Sequence, residues 1–334
     1  MIDGIKVCNL ITTNDFDLLK HELLKDNWIT KTQNGEILYE EATYKNLRFS
    51  NIKFRYGNNY HKRLIGSIHK YFNNGLTNYN DFSFREVIYT VNEIVEKFHL
   101  CDTNMINNIE FGVNLKLPFD CNIILDNLIT HKGVKFSFEK ESDKSYYQCV
   151  RPQFIIKIYD KGLQNRLPEN ILRFEIKVRK MQYLHKKGIH ISTFSTLKEH
   201  INYVLMKELL LSTFDEILIN CEPINIEKLT QKDREKYLKA INPNTWCKES
   251  NKKNKSAAER KKLERLLIDY NRIVATNISS ISIKEIVKTA METKLNELID
   301  NHYPEINVTN LPLEYRVNMR HNRSLNYQTP QNLN

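Results

Sequence analysis

Glycine and proline are scarce in this 334-residue chain, at nine and eight residues. Neither G-x-G-x-x-G nor a P-loop pattern occurs, which argues against a nucleotide-driven motor or a fused helicase. No apolar run is long enough to cross a bilayer and no signal-peptide arrangement is present, so a cytoplasmic protein with no membrane partner is expected. Six cysteines (Cys8, Cys101, Cys121, Cys149, Cys221, Cys247) form no C-x-x-C pair and have no histidine at zinc-site spacing. They read as reduced thiols.

What remains is a soluble globular composition, 41% hydrophobic and 27% charged, long enough for two domains or for one large domain with an extension. The formal charge of +10 makes nucleic acid the first candidate partner, because neutralising phosphates releases condensed counterions. The abundance of Asn, Ile and Lys is also what an AT-rich genome encodes, so charge alone decides nothing.

The pattern predicts strands at "MIDGIKV" and within 46–57, a loop or short strand at "GSIHKYFNNG" (66–75), and a helix after the capping box of Ser83 and Glu86. A strand follows at 107–117, then a helix around Cys121 to Thr130, a charged hairpin at 134–150 and two strands within 154–180. One long helix is expected from Ser195 to Ile219, broken by Pro223. The fold class is α+β: a mainly antiparallel sheet with helices on one face, followed by a smaller, mostly helical C-terminal region. The expected divisions are 1–220, 221–311 and a disordered tail at 312–334.

Chemistry concentrates in "FIIKIYDKGLQNRLPENILRFEIKVRK" (154–180). Alternation puts Lys157, Tyr159 and Lys161 on one face of the first strand, and Arg173, Glu175, Lys177 and Arg179 on one face of the second. Glu110 and Asn114 join them if the strand at 107–117 belongs to the same sheet. A tyrosine in such a setting can attack a phosphodiester and keep the 5′ phosphate covalently. Its phenol, with an ordinary pKa of about 10, needs positive charge nearby, which Lys157 and Lys161 supply. Glu110 and Glu175 could hold Mg²⁺ or Mn²⁺, and Arg173 could grip a neighbouring phosphate. The plain alternative is a sheet tyrosine with a packing role; Tyr146, Tyr147 and Tyr183 are competing nucleophiles.

The segments "IKIYDKGLQ" and "ILRFEIKVRKMQYLHKKGI" resemble the tyrosine strand and the R-x-E strand of rolling-circle replication initiators, in particular the filamentous-phage gene II/X group and the related plasmid Rep_trans group. "MIDGIKV", "GSIHKYFNNG" and "NNIEFGVNL" resemble earlier elements of the gene II/X group in the same order, so the resemblance covers roughly residues 1 to 215. It implies an endonuclease that nicks one DNA strand at an origin, holds the 5′ end on tyrosine and rejoins it after synthesis. By position Tyr159 matches the nucleophile, Arg173 and Glu175 the R-x-E pair, and Glu110 an acidic residue in an Ile-acid step. Asn108 stands where a basic residue is expected, and there is no His-hydrophobic-His pair, His185 and His190 being too far apart. A metal site would then be built from carboxylates.

DNA contacts are expected from His69 and Lys70, and from a basic arm with Lys252, Lys253, Lys255, Lys261 and Lys262, for which a solvated helix face is the plain alternative. The partner implied is an origin, single-stranded or hairpin, with a host helicase as a further partner; oligomeric state stays open. A relaxase or transposase sharing the tyrosine chemistry, and a non-catalytic DNA-binding protein, are the alternative functions.

Overall fold

Period-two alternation over long stretches of this chain produces one wide sheet. The computed structural model describes residues 1–33, 36–53, 60–141, 144–222, 224–247, 256–278 and 282–300. Its strands are β1 (Ile2–Cys8), β2 (Ile29–Gln33), β3 (Glu36–Tyr44), β4 (Leu47–Lys53), β5 (Tyr60–Ser67), β6 (Ile106–Lys116), β7 (Leu128–His131), β8 (Val134–Lys135), β9 (Ser137–Glu141), β10 (Lys144–Val150), β11 (Phe154–Asp160), β12 (Ile171–Val178) and β13 (Ile217–Ile219). Ten of them form a sheet in the order β2-β3-β4-β5-β1-β6-β12-β11-β10-β9, and β13-β7-β8 form a small second sheet. Every pairing in the large sheet is antiparallel.

The helices are α1 (Ile68–Phe72), α2 (Phe84–Lys97), α3 (Asn122–Leu125), α4 (Lys161–Gln164), α5 (Gln182–His185), α6 (Phe194–Leu197), α7 (His200–Asp215), α8 (Gln231–Ile241), α9 (Ala257–Asn277) and α10 (Ile283–Asp300). Val87, Val91 and Ile94 of α2, Met206, Leu210 and Phe214 of α7, and Val287, Met291 and Leu295 of α10 share one core with Phe111, Val113, Ile156, Ile158, Phe174 and Ile176 of the central strands. The opposite face of those central strands stays polar. A smaller cluster joins α8 and α9 to Ile129 and Leu218 through Tyr237, Trp246 and Tyr270.

The capping box that starts α2 is present, with Ser83 and Glu86 satisfying each other's backbone N–H groups. Three expectations are corrected. Within "GSIHKYF", Gly66 and Ser67 end β5, but Ile68–Phe72 is α1, because the Ser67 hydroxyl accepts from the Lys70 N–H and so caps a helix start. The helix expected to Thr130 ends at Leu125, and 128–131 becomes β7, paired with β13 and β8. The long helix from Ser195 is α6, a break at Lys198–Glu199, and α7, after which Ile217–Ile219 leaves as β13. Short apolar runs carry no period of their own, so a tertiary strand partner decides their state. The six cysteines are all unpaired, and among the described residues no helix is long and apolar enough to cross a membrane. Residues 312–334, the expected tail, lie outside the described residues, as does Pro223.

Candidate active site

Register brings the polar residues of three strands into one row. On β11 and β12, Lys157 faces Glu175 and Tyr159 faces Arg173; on β12 and β6, Lys177 faces Glu110, Glu175 faces Gly112 and Arg173 faces Asn114. Partners directly opposite in a sheet share a face. Gly112 is what lets Glu175 sit there: a Cβ at 112 would fall 2.2 Å from the Phe174 carbonyl oxygen and 2.6 Å from Glu175 Cβ.

Glu175 is the hub. Its Oε2 accepts from the Tyr159 hydroxyl at 3.3 Å and from Arg173 Nε at 3.0 Å. Arg173 Nη1 donates to Asn114 Oδ1 at 3.2 Å, and Nη2 lies 3.6 Å from Asp3 Oδ2. Asp3 is in turn held by Ser67 and by Asn78, whose amide donates to Oδ2 at 2.7 Å. Lys161 Nζ donates to Asn78 Oδ1 at 2.6 Å and stands 5.6 Å from the centre of the Tyr159 ring.

The second carboxylate lies against the first. Glu110 Oε1 meets Lys157 at 3.3 Å and Oε2 meets Lys177 at 3.2 Å, while Lys157 also reaches Glu175 Oε1 at 3.7 Å. Each oxygen of the two acids therefore faces a cation. Burial drives the Glu175 pKa up, helped by the charge of Glu110 and opposed by Arg173 and Lys157. Burial also acts on Glu110, but there Lys157, a hydrogen bond with Glu175, and Lys177 outweigh it and the net direction is down. The pair is thus biased to keep any shared proton on Glu175. Tyr159 is pushed well above its ordinary value, first by burial and then by the charge of Glu175. Lys161 is lowered to about 8 by burial and then by Arg173.

This row forms the floor of an open cleft of about 640 Å³, lined by Tyr159, Tyr146, Glu110, Glu175 and six lysines: Lys6, Lys70, Lys144, Lys157, Lys161 and Lys177. The structure brings Lys157, Tyr159, Lys161, Glu110 and Glu175 together on it, and Lys70 onto its wall. Arg173, expected to grip a phosphate, is only 3% exposed and is not part of the lining. Its guanidinium is turned inward, Nε bonding Glu175 and Nη1 bonding Asn114, while the buried Nη2 faces Asp3 without a hydrogen bond. His69, expected to contact DNA, is 3% exposed, stacked on Phe82 at 4.6 Å and bonded to Asn80 at 2.9 Å. Burial lowers its pKa to about 3, so it is a packed neutral ring.

Among the competing tyrosines, Tyr183 stacks on Phe154 at 4.2 Å and Tyr147 reaches Asp126 at 3.4 Å, both away from the cleft lining. Tyr146 lines the cleft, its hydroxyl on Glu141 at 2.6 Å and Lys157 over its ring at 5.1 Å. Lys261 and Lys262 are exposed on α9 and do not line the cleft; Lys252, Lys253 and Lys255 lie outside the described residues.

Sequence reasoning missed Asp3, Asn78 and the steric role of Gly112. Asp3 has the parity of the buried Ile5 and Val7, but the β1–β6 register shifts between Ile2 and Gly4 and re-aims it to the polar face. An aspartate inside an otherwise apolar strand was the available signal.

Among the described residues no group of three or more His, Cys, Asp or Glu is arranged to hold a metal ion. Glu110 and Glu175 do form a cation position, and the ammonium of Lys157 stands in it. A divalent ion there has to take the lysine's place.

No family model matches the chain and no curated protein matches it. Among solved structures it is similar to the rolling-circle replication initiator protein from Geobacillus stearothermophilus, at 10% identity and a TM-score of 0.38, over 80% of this chain and 95% of that one.

Proposed function

We propose that this protein is a replication initiator that nicks one DNA strand by transesterification at Tyr159 and later rejoins it. The observation that carries the reading is the Tyr159 hydroxyl donating to Glu175 on the floor of a lysine-lined cleft. The tyrosine and R-x-E segments that resemble rolling-circle initiators are the same residues.

In the step proposed, the phenol oxygen of Tyr159 attacks phosphorus while its proton passes to Glu175 Oε2. The P–O3′ bond breaks, the 5′ phosphate stays on tyrosine, and the departing 3′ oxygen is protonated from solvent; rejoining is the reverse. A base with a raised pKa is better matched to a phenol than an ordinary carboxylate. Arg173 positions Glu175, and Lys161 and Lys70 face the phosphates. Mg²⁺ or Mn²⁺, if bound at Glu110 and Glu175, would polarise a non-bridging phosphate oxygen. Replacing Lys157 by Met should then tighten Mn²⁺ binding at least tenfold by electron paramagnetic resonance; unchanged binding removes the ion from this pair.

The reading is tested by incubating the protein with a single-stranded origin oligonucleotide and resolving covalent adduct on a denaturing gel. Wild type should form adduct, and Glu175→Gln should slow it by roughly 10²–10⁴-fold, the range for loss of a general base. A Glu175→Gln variant as fast as wild type would remove the base. No adduct with any oligonucleotide would favour a non-catalytic DNA-binding protein, whereas adduct only with element ends would favour a relaxase or transposase.

A further inference from the structure

Between Lys177 and His190 the chain carries five Lys or Arg, two His and no Asp or Glu. The structure folds this stretch into a fixed lobe at the end of β12. Leu184 and Ile189 are fully buried beneath it. The N–H groups of Arg179 and Lys180 donate to the Gln153 carbonyl at 2.8 and 3.1 Å. The Asn108 amide bonds the carbonyls of Val178 and Arg179 at 3.1 and 2.9 Å, and Gly188, with φ of +77°, makes the turn. Yet Arg179, Lys180, His185, Lys186, Lys187 and His190 are all exposed.

These cations differ from those in the cleft. Lys157, Lys177 and Arg173 each meet a carboxylate, whereas among the described residues no carboxylate pairs with Arg179, Lys180, Lys186 or Lys187. Lys177 and Asn108 line the cleft, and Arg179 follows two residues after Lys177, just past the end of β12.

We propose that this lobe binds the phosphate backbone of duplex DNA flanking the strand held in the cleft. The inference rests on reading the cleft as a DNA-processing site. Unpaired, exposed cations on an already ordered backbone release counterions without having first to break an ion pair or order a loop. Such contacts position the duplex and read no sequence.

The test uses the full chain with Tyr159→Phe, so that binding is read without chemistry, and a duplex oligonucleotide titrated across salt. Adding R179A, K180A, K186A and K187A together should lower the log–log salt slope by about 0.9 per lost contact, about 3 to 4 in all. The charge-retaining set R179K, K180R, K186R and K187R should keep the parent slope, which separates charge from fold. An unchanged slope in the alanine set overturns the proposal, as does loss of binding to phosphatidylserine vesicles with duplex binding intact. Adduct formation by the wild-type chain is scored separately. No adduct with a shifted salt slope sinks the tyrosine reading and leaves the lobe; adduct with an unshifted slope does the reverse.

Discussion

The cleft floor and the lobe that follows β12 are both rich in charge and physically opposite. At the floor Glu175 and Asp3 are buried and ion-paired with Arg173 beneath them; in the lobe Arg179, Lys180, Lys186 and Lys187 stand in water. Buried charges are costly unless paired, so those retained are held in one geometry, which suits chemistry. Exposed charges cost little and suit affinity. In the proposed reading, the contrast separates the residues that would act on a phosphodiester from those that would hold the flanking DNA.

The largest effect should follow from breaking the floor. Arg173→Met leaves Asp3 without its cation and Glu175 with Lys157 alone, and should cost about 3–5 kcal/mol in urea unfolding; a loss near zero would mean the cluster is solvated. Next, Gly112→Ala forces a Cβ onto the Phe174 carbonyl and Glu175, for about 1–3 kcal/mol, together with slower adduct formation.

A smaller effect concerns Lys161. Its pKa is lowered from 10.5 to about 8 in the fold. Between those values the unfolded chain binds more protons, so this group makes the fold more stable as pH rises from about 8 towards 10.5. Its positive charge is lost in the same direction. Affinity of the Tyr159→Phe protein for single-stranded DNA should therefore fall above pH 8 by roughly 1 kcal/mol, a hydrogen bond's worth. Lys161→Met should remove that step from the binding profile; a step of equal size in the variant assigns it elsewhere. The smallest effect belongs to the lobe, where each alanine should change unfolding stability by within about 0.5 kcal/mol. Losses comparable to that of Arg173→Met would erase the contrast.

Much of this was legible in the chain because alternation is a local signal. The faces of β6, β11 and β12 follow from period two, and the sheet then places Glu110, Lys157, Tyr159 and Glu175 together. What was hidden depends on long-range partners. Asp3 reaches the floor through a register shift, and Asn78 meets it across 75 residues of chain. His69 looked like a surface residue because nothing local shows that Phe82 will cover it. The inward turn of Arg173 was equally unreadable, since an Arg and a Glu two apart on a strand look the same whether they face DNA or one another. The end of α3 and the strand that follows α7 were set by strand partners, not by their own composition.

The central claim is that Tyr159 is the nucleophile, and the most direct measurement is to map the residue that carries DNA. Wild-type protein is trapped with a single-stranded origin oligonucleotide, digested, and the nucleotide-bearing peptide is sequenced by mass spectrometry. Phosphotyrosine is expected at 159, with no adduct in Tyr159→Phe and adduct retained in Tyr146→Phe. A nucleotide on Tyr146, or adduct persisting in Tyr159→Phe, would contradict it.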